Sequence, residues 1–246
     1  MKIDSHAYIG NGIYKKQTAE DILRDMDRVG IDKSVLVPVE EFITVYNEEG
    51  NRMILSEKNA HPDRFYGFAA VNPWYGKKAE EILVKAFEEG LDGAFFVSSV
   101  QGFSINDPLV DPLMEICAKY KKPVYFHTGT PAFALPLQLA YLARRHRDVN
   151  FIMGHSGAND FVYDIDASMK DTGNLYLDTS LNYCETIFRI VKDYPDRVIF
   201  GSESPRSPLE FEYSKAARSS DDPAVLEKVF SGNLLRIMEG DGTHRV

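Results

Sequence analysis

Short apolar runs alternate with longer amphipathic stretches along the whole chain, and this alternation restricts the fold more than any other feature of the sequence. An apolar run bounded by turn residues reads as a strand buried on both faces, which is the signature of a parallel sheet covered by helices. The runs lie at 2–6, 34–39, 65–71, 93–98, 123–127, 150–155, 175–180 and 197–201, and the second, fourth and last are almost continuously apolar. Between them the spacing predicts helices. Thr18 caps a stretch through Val29 in which Ile22, Leu23, Met26 and Val29 recur at helical spacing, and Gly30 ends it. Further helices are expected over 47–60, 77–89, 111–120 (with Pro112 at its first turn), 132–147, from Asn159 or Asp160 onward, 185–193, 208–218 and 223–238. Residues 98–106 read as a long loop, a candidate lid. Eight strand–helix units in 246 residues predict an α/β protein, a closed (β/α)8 TIM barrel forming a single domain over 1–246, since about 250 residues is typical of that fold. The first strand–helix turn lacks a Gly-x-Gly-x-x-Gly run, which argues against a dinucleotide enzyme.

Charge and cysteine usage narrow the function classes. The net charge is −9, and the longest basic runs are the pairs Lys15-Lys16, Lys77-Lys78, Lys121-Lys122 and Arg144-Arg145, which read as solvated surface. Nothing basic is clustered to attract phosphates, so neither nucleic acid nor a membrane surface is an expected partner. No signal pattern opens the chain and no apolar run approaches the ~18 residues of a membrane span, so the cytoplasm is the expected compartment. Cys117 and Cys184 are far apart, match no metal-binding spacing and are expected as reduced, mostly buried thiols.

Barrel enzymes carry their chemistry at the C-terminal ends of strands. His6, His127 and His155 end predicted strands there, and Glu203 follows the last one; His61, His146 and His244 do not. One histidine at a strand end is normally structural. Three at the same end of one barrel, with a carboxylate beside them, predict a metal-assisted site. Imidazoles and a carboxylate suit one divalent ion, zinc first, with manganese or iron as alternatives, and such an ion acidifies bound water and polarises a substrate oxygen. Alternation along the first strand puts Tyr8 on the same face as His6. Arg206 is a candidate for a substrate carboxylate and Trp74 for a pocket wall. Asp178, Asn72 and Asn182 lie near strand ends, and Asp178 is placed to orient a neighbouring histidine.

In order along the chain come Ile3-Asp4-Ser5-His6-Ala7-Tyr8, Asn106-Asp107-Pro108-Leu109, Pro123-Val124-Tyr125-Phe126-His127-Thr128-Gly129, Gly154-His155-Ser156-Gly157, Leu175-Tyr176-Leu177-Asp178-Thr179-Ser180, Phe200-Gly201-Ser202-Glu203-Ser204-Pro205 and Gly232-Asn233-Leu234-Leu235-Arg236. Through these stretches the chain resembles, almost end to end, the amidohydrolase superfamily, in particular the branch of aminocarboxymuconate-semialdehyde decarboxylase and predicted metal-dependent hydrolases. The resemblance implies that His6 and His127 are metal ligands. It puts His155 where the family has a ligand or the histidine that activates metal-bound water, and Glu203 where it has an aspartate that binds metal or acts as general base. Two positions depart from the pattern: Tyr8 replaces the second histidine of His-x-His, and Glu203 replaces the aspartate. Phe95 stands where relatives often carry lysine, which implies a single ion. The expected activity is hydrolysis of a small amide, ester or lactone by metal-activated water. The alternatives are non-oxidative decarboxylation on the same scaffold, or a metal-free barrel that binds a ligand without turnover. The resemblance also implies a small-molecule substrate and a homodimer.

Overall fold

A computed structural model describes residues 1–239; His244 and the rest of the tail lie outside the described residues. Nine strands form one sheet: β1 (Ile3–Asn11), β2 (Lys16–Gln17), β3 (Lys33–Pro38), β4 (Phe65–Ala70), β5 (Gly93–Phe96), β6 (Val124–His127), β7 (Phe151–Gly154), β8 (Leu175–Asp178) and β9 (Val198–Ile199). Their spatial order is β2-β1-β3-β4-β5-β6-β7-β8-β9. β2 pairs antiparallel with β1, and every other pairing is parallel. The sheet curls, and the segment after β9 returns to β1: Ser5 N donates to Phe200 O at 2.9 Å and Tyr8 N to Ser204 O at 2.8 Å, and Ala7 forms a parallel bridge with Ser204.

Strand alternation sorts the buried apolar side chains into two layers. Leu36, Ala94, Phe96, Phe126, Phe151, Met153 and Leu177 pack with helix residues such as Ile22, Met26, Leu83, Leu139 and Ile190. Ile3, Val35, Val37, Phe95, Tyr125, Ile152, Tyr176 and Ile199 form the layer enclosed by the curl, with Leu234 and Ile237 of the helix Asn233–Met238 beside them. Tyr8 belongs to this enclosed layer and Ala7 to the outer one. A bulge in β1 sets that phase. Asp4 pairs with Ser34 and Ala7 with Leu36, so β1 takes three steps where β3 takes two.

The helix Ala19–Val29 has the capping box Thr18/Asp21 at its start and Gly30, in the left-handed conformation, at its end. The helices Asn47–Ala60 and Asp111–Tyr120 match their expected bounds. Elsewhere long-range contacts override the local pattern. The helix expected from 132 begins at Pro136 (Pro136–Arg145), because Ala132 takes φ 71° and Thr130 bridges Ala134. The helix expected from Asn159 or Asp160 is a 3-10 turn, Val162–Asp164, leading into the short helix Ile165–Met169. The expected loop at 98–106 opens with one helical turn, Ser98–Gln101, and 223–238 is broken by a π turn at Lys228–Gly232. β9 stops at Ile199 because Phe200 N turns to Val229 O. Cys117 is buried, but Cys184, the first residue of the helix Cys184–Asp193, is exposed, contrary to expectation. Among the described residues no helix is long and apolar enough to cross a membrane.

Candidate active site

Four strands of the sheet, β1, β6, β7 and β9, deliver the predicted groups to one place. His6 rises from the bulged part of β1, and His127 is the last residue of β6. His155 follows β7 and Glu203 follows β9, with φ of 60° and 57°. Left-handed backbone at residues other than glycine costs about 1–3 kcal/mol each and persists only where the surroundings enforce it. Here it turns both side chains inward off their strands.

The His127 Nε2 lies 3.0 Å from Glu203 Oε1 and 2.6 Å from His155 Nε2, and His155 Nε2 lies 3.3 Å from Glu203 Oε2. One ligand atom from each of His6, His155 and Glu203 falls within 4.8 Å of the other two. His127 stands at the edge of that trio and is the most open of the three imidazoles. His6 Nδ1, His127 Nδ1 and Glu203 Oε2 are buried without a hydrogen-bond partner. Burial lowers the pKa of both His6 and His155 to about 3. Burial alone would raise that of Glu203, but the combined pull of His155, His127 and His6 outweighs it and holds the carboxyl well below its ordinary range. Neutral imidazoles facing an ionised carboxylate are the forms that bind a cation.

Asp178 orients this cluster. His155 Nδ1 donates to Ser180 Oγ at 2.7 Å, and Ser180 Oγ donates to Asp178 Oδ1. Asp178 also accepts from Ser5 Oγ at 2.7 Å, Ser180 N at 3.0 Å and His155 N at 3.2 Å. With its Nδ1 committed as donor, His155 presents a bare Nε2 to the cluster. Gly201 makes room, since a Cβ there would sit 2.0 Å from Asp178 Oδ2. Asp4 ties the segment before Glu203 to β1 by accepting from Ser202 N at 2.8 Å and Ser202 Oγ at 2.7 Å.

The other candidates divide. Arg206 stands at the mouth, 57% exposed, with Nη1 3.5 Å from Glu203 Oε1. Trp74 is exposed and its indole donates to Gln101 O at 3.0 Å, so it staples two loops rather than entering the cluster. Asn72 is likewise spent, accepting from Trp74 N and donating to Thr44 O. Asn182 Nδ2 donates to the His155 backbone carbonyl at 2.7 Å. Tyr8 is buried with its ring centre 6.0 Å from that of His6 and 5.9 Å from that of Phe95. Burial, then the charge of Glu203, raises its pKa well above 10, so it is a neutral phenol. Tyr125 completes this wall, its hydroxyl 3.5 Å from His6 Nε2.

Sequence reasoning passed over Ser5, Ser180, Tyr125, Lys15 and Glu40. Ser180 was findable, because it lies two residues beyond Asp178 and alternation puts both on one face. Lys15 was read as solvated surface. Instead its ammonium lies 4.1 Å from the centre of the Tyr8 ring, with its side chain only 20% exposed. The Gly/Asn-rich run Gly10-Asn11-Gly12 marks a turn after the first strand, but not that the turn forms a hairpin laying Lys15 on Tyr8.

A parallel α/β sheet that gathers imidazoles and a carboxylate beyond its strand ends puts the protein among those that place chemistry at that face. Residues 9–237 match the family described as Amidohydrolase (Amidohydro_2), and the chain belongs to that family. Among solved structures it is similar to 5-carboxyvanillate decarboxylase from Novosphingobium aromaticivorans, complexed with manganese and 4-hydroxy-3-methoxy-5-nitrobenzoic acid (TM-score 0.80, 15% identity, 97% of this chain and 96% of that chain). It is also similar to 2,6-dihydroxybenzoate decarboxylase from Rhizobium (TM-score 0.77, 20% identity, 98% and 99%) and to 4-oxalomesaconate hydratase from Rhodopseudomonas palustris (TM-score 0.74, 17% identity, 98% and 96%). At these identities the likeness is one of fold. A search of curated proteins finds no match.

Proposed function

We propose that the protein is a metal-dependent, non-oxidative decarboxylase of a small carboxylic acid, built on a single, complete (β/α)8 barrel domain. The observation that carries the reading is the convergence of His6, His127, His155 and Glu203, with buried donor atoms left unpartnered, in a chain of this family. Its fold neighbours lend support, since several are decarboxylases and two of those are described with manganese. They favour decarboxylation over the hydrolysis expected from the sequence.

The donor set fits a divalent cation: His6, His155 and Glu203 would hold it, and manganese now stands beside zinc as a candidate. A cation held there would polarise the substrate's carboxylate-bearing end and offset its charge. The chain's own residues do the rest. The Ser180–Asp178 relay keeps His155 Nε2 aimed at the cluster. The Tyr8, Phe95 and Tyr125 rings wall the site against water. Arg206 brings positive charge to the mouth for an incoming acid. The bond from carbon to carboxylate breaks, its electron pair stays on carbon, and carbon dioxide leaves. His127, the most open imidazole and bonded to Glu203, delivers the proton that the carbon takes up and is reprotonated from solvent.

A hydrolase is the second reading. It uses the same residues but asks Glu203 to take a proton from water, and the Glu203–His127 contact favours it. The two separate by assay. The full chain with manganese or zinc should release carbon dioxide from 2,6-dihydroxybenzoate or 5-carboxyvanillate. Hydrolysis of esters or lactones with no carbon dioxide from any acid would replace the first reading with the second. Absence of bound metal, with neither activity gained on adding manganese or zinc, would leave the metal-free barrel.

A further inference from the structure

The Lys15 ammonium has three N–H donors and no hydrogen-bond acceptor among the described residues. It lies 3.7 Å from Glu40 Oε1, near enough for attraction and too far for a hydrogen bond. Both Glu40 carboxylate oxygens are shut off from solvent and without a hydrogen-bond partner. The Tyr8 ring lies under the same ammonium, and its hydroxyl makes no hydrogen bond among the described residues. The open donors belong to Lys15, so what this corner offers a ligand is charge-assisted donation to an oxygen.

The placement of Lys15 is built, not incidental. Gly10 pairs with Gln17 and Asn11 with Lys16, and Gly12 N donates to Lys15 O at 2.9 Å, so the hairpin fixes the Lys15 backbone. Gly12 also lets Glu40 close in, because a Cβ there would sit 1.8 Å from Glu40 Oε2. The Tyr8 ring touches Lys15 on its face and lies edge-on to His6, which joins this corner to the His–Glu cluster.

We propose that Lys15, lying over the Tyr8 ring, binds an anionic oxygen of the substrate together with the Tyr8 hydroxyl, and that Glu40 is the counter-ion Lys15 gives up on binding. The inference rests on the decarboxylase reading for the class of substrate, a small carboxylic acid. A free acid offers oxygens that accept charge-assisted hydrogen bonds from Lys15; the corresponding amide lacks the charge. Glu40 competes for the same ammonium, so the acid must displace it.

The test is calorimetric titration of the manganese-loaded full chain with benzoate, 2,6-dihydroxybenzoate and 5-carboxyvanillate, and with the amide of each. Lys15→Met should weaken binding of the preferred acid by at least about 10-fold and leave its amide within about 2-fold. Lys15→Arg should restore part of the loss. Glu40→Gln should tighten acid binding by roughly 3-fold or more, an effect that a surface ion pair with no part in binding would not give. Equal loss for acid and amide in Lys15→Met, no change in Glu40→Gln, or no acid bound more tightly than its amide would each overturn the inference. Turnover is not read in this titration. Acid binding that needs Lys15 without carbon dioxide release would remove only the decarboxylase reading, and carbon dioxide release with Lys15-independent binding would remove only this inference.

Discussion

At the corner formed by the ends of β7, β8 and β9, the supporting polar atoms are tied down. His155 bonds Ser180, Ser180 bonds Asp178, and Asp178 also takes Ser5 and two backbone amides. His6 Nδ1, His127 Nδ1, Glu203 Oε2 and Asn182 Oδ1 are left without a partner. At the corner formed by β1 and β3 the reverse holds: Lys15 lies over the Tyr8 ring and 3.7 Å from Glu40 Oε1, with no hydrogen bond joining the three side chains. The first corner is rigid before any ligand arrives, which suits a cation that demands fixed donor positions. The second has a backbone fixed by the hairpin but side chains held by charge and ring contact without hydrogen bonds, which suits a group that must bind and leave.

The largest expected effect breaks the tied corner at its centre. His155→Ala or Glu203→Ala should bring bound metal, measured by elemental analysis, well below one equivalent and lower carbon dioxide release by at least about 100-fold, beyond the range for supporting residues. Full metal content in both variants would dissolve the distinction between the corners. Ser180→Ala comes next. It leaves every donor atom in place and cuts the relay, so metal affinity should fall by about 10–100-fold while the fold survives. Unchanged affinity would mean that packing alone orients His155.

Stability against pH probes the same corner. The pKa of His6 and of His155 is about 3 when folded, against an ordinary 6.5. As pH falls from 6.5 towards 3, the unfolded chain therefore gains protons that the folded chain does not, and stability is lost. Asp4 works the other way: burial, opposed by its bonds to Ser202, leaves its pKa at about 7 against 3.8, so its contribution is lost as pH rises from 3.8 to 7. Between about pH 4 and 6.5 the two imidazoles oppose Asp4, with Glu212, also raised by burial, on Asp4's side just above pH 4.5, and each fully shifted group is worth about 1.4 kcal/mol per pH unit. Urea unfolding of metal-free protein should show stability falling by roughly that amount per unit of acidification. A flat or rising profile would mean that the two imidazoles are not held neutral.

The smallest effect belongs to the open corner. Tyr8→Phe removes one hydroxyl and should weaken binding of the preferred acid about 5-fold without altering metal content. Loss of metal instead would move Tyr8 into the donor set and merge the two corners.

Much of this architecture was legible in the chain. Periodicity marks where strands and helices alternate, and Thr18, Asp21 and Gly30 bound a helix by local chemistry alone. The histidines that end apolar runs, and the glutamate after the last, were readable as neighbours once those runs were taken as parallel strands. The misreadings share a cause. Residues 132–135 look helical, yet a bridge between Thr130 and Ala134 claims them. Lys15 looks like surface, yet a hairpin lays it over Tyr8.

By itself, then, the sequence determined the repeat of the fold and which residue types gather at one end of it, because both follow from local periodicity. Tertiary structure alone decided the one-residue bulge that sets the phase of His6 and Tyr8, the left-handed turns at His155 and Glu203, and the bond from Ser5 to Asp178 across 173 residues. It also decided which groups are neutral and which are charged. Those outcomes depend on register between distant strands and on exclusion of water, and neither is a property of any short stretch of chain.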